Sequence, residues 1–501
     1  MKRILLLCLV LLLVAGCQSS GPADELTGTP RGTQSLPPAH TPTAVPTPLP
    51  TLAPTPEMLE PDYSSALLPG AEISLEGAPR YQIDLAVDFS SSGVVMDGMV
   101  RIRYTNEGSR ALKTLVFMLV PNQFQTEPVM TTGSVLVDGE LHAGELSPDG
   151  TALTVVLNHA LSPGAVVDVS IPYRIETGLS GGVLFLSAPY PLLPRHDGEW
   201  NASLSPYGTG GRGFPVAYYD VQIVLPEELS LAASGTEVGH ETAEDGLQYI
   251  RVIAGPLRLF AFAAGRFEEA TRVVGEVELR VWTLTGHSED AAAVLASAAE
   301  QLTLLGSLWG EYPFRELDFV DVPQSAAQGF PGVARIGTFG TNTVVADVLD
   351  TVTQQWTSAL VGSDPIEEPW VGEALTGYAR ALYEENRSSV GAATGFLSDL
   401  RAVLRDSPAF ERPIGQAAAD FASFSEYTVL ARYKGALFLE ALRWEIGSSA
   451  FFAFLEDFFR ENRFGFVSGE DVQAAVEAAC SCDLTDIFDV WVWKGGELPI
   501  P

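Results

Sequence analysis

Three oxygen-bearing side chains stand at a telling spacing in VLDTVTQQWTSALVGSDPIEEPWVGEALTGYARALYEE, residues 348–385. Asp350 and Gln354 are four positions apart, so a helix would carry both on one face, and Glu373 follows Gln354 by nineteen. Two donors one turn apart, joined by a carboxylate from the next helix, is how a helical pair grips a metal ion. Here every donor is oxygen. That set suits a hard cation rather than zinc, and one helix face offers too few oxygens for Ca²⁺ or Mg²⁺. Thr351, beside Asp350, cannot take up a proton at neutral pH as a carboxylate would.

The elements that position these residues belong to the second of two textures. Before residue 285, YQIDLAVDF alternates Tyr81, Ile83, Leu85 and Val87 against polar or small neighbours, and VRIRYTN alternates Val100, Ile102 and Tyr104 against arginines. Similar alternation in VVDVSIPY and VELRVWTL predicts an antiparallel β-sandwich over 78–284. From 285 to 501 apolar residues recur at three and four residue intervals, as in SEDAAAVLASAAEQLTLLGSLWG and YKGALFLEALRWEIG, which predicts a mainly helical domain with one embedded strand at 317–323. Ser468 and Asp471 have the spacing of a helix N-cap box, so the last forty residues are also expected to be helical. The predicted class is therefore multidomain α+β.

Composition narrows the function. The chain has 501 residues, 46% of them apolar, enough for two or three packed domains, and its formal net charge of -34 argues against nucleic-acid binding. MKRILLLCLVLLLVAGC opens with Lys2 and Arg3, continues in an apolar run too short for a comfortable span, and closes on small residues before a cysteine. Val14-Ala15-Gly16-Cys17 resembles the bacterial lipobox. That resemblance implies a signal peptide over 1–16, a lipidated Cys17 at the mature N-terminus, and attachment to the extracytoplasmic face of a cell membrane. Eight of the twenty residues from Pro37 to Pro56 are proline, so 17–77 is expected to be an extended stalk. No later segment is expected to span a bilayer. Cys480 and Cys482 are then the cysteines left in the folded part, and two free thiols are expected there rather than a bridge or a metal site.

The 348–385 stretch also resembles the alanyl aminopeptidase family (peptidase family M1), zinc gluzincins that include leukotriene A4 hydrolase. Their site reads HExxH, eighteen residues, then Glu. Gln354-Gln355-Trp356 stands where the family has His-Gln-Trp, and EPWVGEALTGY resembles its E-P-W-L-N-E-G-x-A-x-Y. Glu373 keeps the eighteen-residue gap. With LTLLGSLWGEYPFRELDFVDVP and YKGALFLEALRWEIG in the right order, the resemblance covers roughly 78–497 and implies a thermolysin-like helical domain after the sandwich.

Residue by residue, the resemblance places the first metal histidine at Asp350, the general base at Thr351, the second histidine at Gln354 and the third ligand at Glu373. The six histidines are His40, His142, His159, His196, His240 and His287, so none follows His287. AAQGFPG puts Gly329 where the family's amine-binding Glu belongs, and ARYKGA puts Arg432 at the oxyanion tyrosine, with Tyr433 one place later. Trp356 and Trp370 are expected to be core aromatics. No cofactor is expected, although the family binds zinc. Arg432 is expected to pair with Glu373, with Asp350 beside it, supplying the charge of the missing ion. Restoring His, Glu and His at 350, 351 and 354 should recover some zinc affinity. Two functions follow: a non-catalytic lipoprotein that holds a peptide or protein in the former substrate cleft, or an altered zinc metallopeptidase whose ligands lie in another register.

Overall fold

The computed structural model describes residues 58, 60–71, 73–90, 93–208, 211–405, 407 and 410–496. The expected signal peptide, Cys17 and most of the expected stalk lie outside the described residues.

The predicted alternation becomes the central strand of a nine-stranded sheet. Tyr81, Ile83, Leu85 and Val87 of Arg80–Ser90 are all buried, as are Val100 and Ile102 of its neighbour Gly93–Thr105. Across the sheet the strands run Thr236–Thr242, Leu247–Leu257, Ala217–Pro226, Arg80–Ser90, Gly93–Thr105, Val166–Thr177, Val135–Val137 and Glu140–His142, with Met130–Thr132 also pairing to Val166–Thr177. Arg80–Ser90 runs parallel to Ala217–Pro226, so the sheet is mixed and not purely antiparallel as the hairpin-like punctuation suggests. The period-two pattern fixes which face a strand buries but not the direction of its neighbour. Two three-stranded sheets, Leu184–Ser187 with Ala261–Gly265 and Ser230–Ala233, and Leu112–Met118 with Ala152–Leu161 and Gly144–Leu146, add residues to the same continuous apolar core.

A five-stranded sheet joins the two textures. Glu268–Val274 pairs with Val277–Thr283, which lies parallel to Glu316–Asp321; Val333–Ile336 and the edge strand Gln328–Phe330 complete it. The switch from strand to helix comes where the sequence indicates, at α1 (Ser288–Trp309), yet this sheet crosses residue 284. The helices that follow are α2 (Val344–Gln354), α3 (Trp370–Arg387), α4 (Val390–Arg405), α5 (Phe424–Tyr427), α6 (Gly435–Ile446), α7 (Ser448–Glu461), α8 (Gly469–Cys480) and α9 (Thr485–Phe488).

Two expectations need correction here. By length and composition α1 could cross a membrane, contrary to the reading that no later segment could. It is instead half-buried among α2, α3, α7 and the Val277–Thr283 strand, because its apolar face is continuous with the core. Gly310, at φ 94°, ends it with a turn that a side chain would strain. Second, Cys480 and Cys482 form a disulfide. Ser481 caps α8 in the left-handed conformation, and that reversal brings the two Cα atoms to 5.2 Å. The capping box at the start of α8 is as expected: Ser468 Oγ accepts from Asp471 N–H, and the Asp471 carboxylate accepts from Ser468 N–H.

Candidate functional site

Asp350 and Thr351 lie in the middle of α2, a helix whose Val344, Val348, Leu349 and Val352 face the core. Gln354 is its last residue, and Gln355–Leu360 continues as a widened π-helical turn. Glu373 sits in the first turn of α3, where the exposed N–H groups of a helix N-terminus favour a carboxylate. Arg432 comes from a third element, a π-helical stretch over Thr428–Lys434 between α5 and α6. Small residues let these elements approach. A Cβ on Gly377 would lie 2.7 Å from the Arg432 carbonyl, and one on Gly435 would lie 2.6 Å from the Cβ of Ala374.

These elements bring Asp350, Glu373 and Arg432 together. Arg432 donates from Nε and Nη2 to Glu373 Oε2, at 2.7 and 2.6 Å, and from Nη1 to Asp350 Oδ2 at 3.0 Å. The pairing expected from the position of Arg432 ahead of Lys434-Gly435 is present, and the arrangement with Arg432 turned to solvent is not. Tyr433 is half-buried against the core and makes none of these contacts.

A fourth residue, absent from the sequence reading, completes the cluster. Arg212, with a side chain only 1% exposed, donates from Nη2 to Glu373 Oε1 at 3.0 Å and to Ser358 Oγ at 3.2 Å. Its Nη1 reaches the Pro369 carbonyl at 3.4 Å. Both oxygens of Glu373 are thus held by guanidinium groups from opposite parts of the chain. Burial alone would raise the Glu373 carboxyl; Arg432 and Arg212 together overcome it and hold it down to about 2. Arg432 is pushed above its ordinary range by Glu373 and Asp350 against its own burial. At Asp350 burial wins and the carboxyl is raised, with Arg432 opposing. Tyr427, buried and 4.4 Å from Tyr207 between ring centroids, lies close to Glu373, and burial together with that carboxylate pushes its phenol up.

Arg212 had one legible trace. Gly372 interrupts α3 directly before Glu373, and a Cβ there would meet Arg212 Cζ at 2.5 Å and Nε at 2.6 Å. In a solvent-facing helix Gly→Ala stabilises by about 1 kcal/mol. Gly372→Ala is expected to destabilise instead, by at least about 1 kcal/mol in urea denaturation, because the methyl group would displace a buried ion pair. A stabilised variant would show that Arg212 has room to move.

The remaining positions are occupied by backbone. Gln354 Oε1 accepts the Gly329 N–H at 2.6 Å, and Gln355 accepts from Gly332 N–H at 3.0 Å while donating to the Phe330 carbonyl at 3.0 Å. The two glutamines thus close the edge strand Gln328–Phe330 onto α2. A Cβ on Gly329 would lie 2.7 Å from the Thr351 carbonyl, so no larger residue fits there without a shift. Thr351 Oγ1 donates to the Val348 carbonyl at 3.0 Å. Trp356 and Trp370 are core aromatics, Trp356 donating to the Gly310 carbonyl and Trp370 packing edge-on to Phe438 and Trp493. Among the described residues no group of three or more His, Cys, Asp or Glu is placed to hold a metal ion.

No protein-family model matches the chain, and no curated protein matches it in sequence. Solved structures do match in fold. An M1 zinc metallopeptidase from Deinococcus radiodurans, solved as a point mutant, is 20% identical, with a TM-score of 0.64 over 88% of this chain and 100% of that one. Another structure of an M1 zinc metallopeptidase from that organism gives 19%, 0.63, 85% and 95%. A two-domain M1 zinc metallopeptidase mutant bound to L-arginine gives 21%, 0.66, 88% and 99%. Agreement over most of both chains establishes that this chain has the fold of the M1 zinc metallopeptidases.

Proposed function

We propose that the protein is a non-catalytic, lipid-anchored lipoprotein on the extracytoplasmic face of a membrane, using an M1 fold to bind a polypeptide rather than to cut it. In this reading the β-rich part is the family's N-terminal sandwich and the helical part a degenerate gluzincin domain. The observation that carries it is the pair of guanidinium groups on Glu373.

The donor set does not fit zinc. Asp350 Oδ2 and both oxygens of Glu373 are taken by arginine, and Gln354 Oε1 is taken by a backbone N–H. Neither imidazole nor thiolate stands at these positions, and Thr351 is no general base. Two positive charges replace the two of the dication. A dication about 4 Å from one guanidinium would be repelled by roughly 8 kcal/mol at an effective dielectric near 20. No observation favours the altered metallopeptidase.

Protein purified from membranes tests both halves of the proposal. Mass spectrometry should find a diacylglyceryl group on Cys17, and metal analysis should find no stoichiometric zinc. One zinc per chain, with aminoacyl-anilide hydrolysis lost on chelation, would overturn the non-catalytic reading. The triple variant Asp350→His/Thr351→Glu/Gln354→His, expected from sequence alone to recover zinc, is now expected to stay metal-free in calorimetry. Recovery should need Arg432→Tyr and Arg212→Ala as well.

A further inference from the structure

A second face of α3 carries a cavity unrelated to the Glu373 cluster. It has a volume of about 290 Å³ and lies between α3, α4, α6 and the start of α7. Part of its wall is apolar, where Ala381, Ala393 and Leu397 are buried; the rest carries Thr394, Ser448 and charged side chains. The rim carries Val390 and Trp444, 67% and 71% exposed, large apolar side chains that the fold itself does not use.

The cavity's charges do not cancel. Arg443 grips Glu385 in a two-pronged contact, Nη1 to Oε2 at 2.7 Å and Nη2 to Oε1 at 2.9 Å, and its ring-facing side lies 4.8 Å from the Phe452 centroid. That hydrogen-bonded pair is satisfied, and Arg443 holds the Glu385 carboxyl below its usual range. Glu440 is different. Its Oε2 accepts only the neutral Tyr378 hydroxyl, at 2.7 Å, and its Oε1 has no donor from the described residues. Burial and Glu440 itself push Tyr378 ionisation up, so the hydroxyl remains a neutral donor. The cavity therefore holds two carboxylates against one guanidinium, a partly apolar wall and an exposed indole, and the Tyr378 hydroxyl, 3.4 Å from Arg443 Nη1, is the link between Arg443 and Glu440.

We propose that this cavity is a docking site for a lysine side chain of a partner polypeptide. The four-carbon stem matches the apolar part of the wall formed by Ala381, Ala393 and Leu397, the ammonium ion matches Glu440, and the indole of Trp444 adds a face that attracts cations. Charge complementarity extends beyond the cavity, since a chain of net charge -34 steers basic partners toward itself. The inference rests on the reading that the protein binds a polypeptide, and names the partner's chemistry and a place for it away from the closed edge strand.

The test titrates Nα-acetyl-lysine methylamide into the full-length protein labelled with ¹⁵N-tryptophan, following the Trp444 indole resonance, assigned with Trp444→Phe. A saturable shift is expected. Glu440→Gln, which keeps an acceptor for Tyr378, should weaken binding about tenfold, equivalent to about 1.4 kcal/mol. The norleucine analogue, with the same stem and no charge, should bind at least as much more weakly. No saturable shift, or equal binding by Glu440→Gln or by the norleucine analogue, would overturn the proposal. Zinc content and peptidase activity of the same sample report separately on the non-catalytic reading.

Discussion

Glu373→Ala is expected to lower stability by about 4 kcal/mol at pH 7, because it leaves two guanidinium groups without their shared carboxylate, and Arg212 is buried beyond the reach of water. Arg432→Ala should cost about 3 kcal/mol, less because Arg212 still holds Glu373 Oε1. The double variant Arg432→Ala/Glu373→Gln should lose less than the sum of its parts, since each residue's cost is largely the other's orphaned charge. Chemical denaturation of wild type, Arg432→Ala, Glu373→Gln and the double variant measures this, and strictly additive losses would contradict the cluster as described.

The same carboxylate sets an acid response. Glu373 is held down to about 2, below its ordinary 4.5, so the folded state binds the proton less readily than the unfolded chain. Its contribution is present in full above about pH 4.5 and is lost as pH falls through about 2, a total of about 3 kcal/mol. The stability difference between wild type and Glu373→Gln should shrink across that window. A difference independent of pH there would mean the carboxylate is not the charged partner.

The second large effect belongs to Arg258, fully buried and without a carboxylate. It follows the strand Leu247–Leu257 and donates to three carbonyls: Phe214 at 2.9 Å, Leu360 at 3.2 Å and Gly465 at 2.6 Å. Its guanidinium lies 4.6 Å from the Phe466 ring centroid, which Arg195 also faces at 4.7 Å. Burial, with Arg195 adding to it, pushes Arg258 down to about 9. The carbonyls join the strand-rich half to the π-helical turn after α2 and to the loop before α8. Arg258→Met keeps the volume but takes the donor from the Phe214 carbonyl and one of two donors from the Leu360 and Gly465 carbonyls, which keep the Phe464 and Gly362 N–H groups, and is expected to cost about 3 kcal/mol. Arg258→Lys should recover less than half, since one ammonium cannot span the three directions of the fork. A loss below about 1 kcal/mol for Arg258→Met in the same denaturation assay would show that water can replace the guanidinium.

What could be read from sequence depended on whether the signal was local. The burial of Tyr81, Ile83, Leu85 and Val87, the start of α1 and the Ser468 cap all follow from patterns a few residues long. Arg432 was legible at long range only because Lys434-Gly435 fixes its place relative to the M1 pattern. Arg212 was not. It lies 161 residues before Glu373 in a glycine-rich loop with no motif, and only Gly372 marks the space it needs. The parallel pairing of Arg80–Ser90 with Ala217–Pro226 was hidden for a related reason, since periodicity says nothing of a partner more than a hundred residues away. The Cys480–Cys482 bridge turns on the conformation of the single residue Ser481, which composition does not specify.

The sheet that crosses residue 284 determines where this chain can be divided. A break there would separate Val277–Thr283 from Glu316–Asp321 and leave the inner strand of a five-stranded sheet as a bare edge. A break before Glu268 would keep that sheet whole. The exchangeable unit therefore begins with Glu268–Val274 and includes all the helices, and any chimera that joins this helical half to another sandwich must carry those two strands across with it.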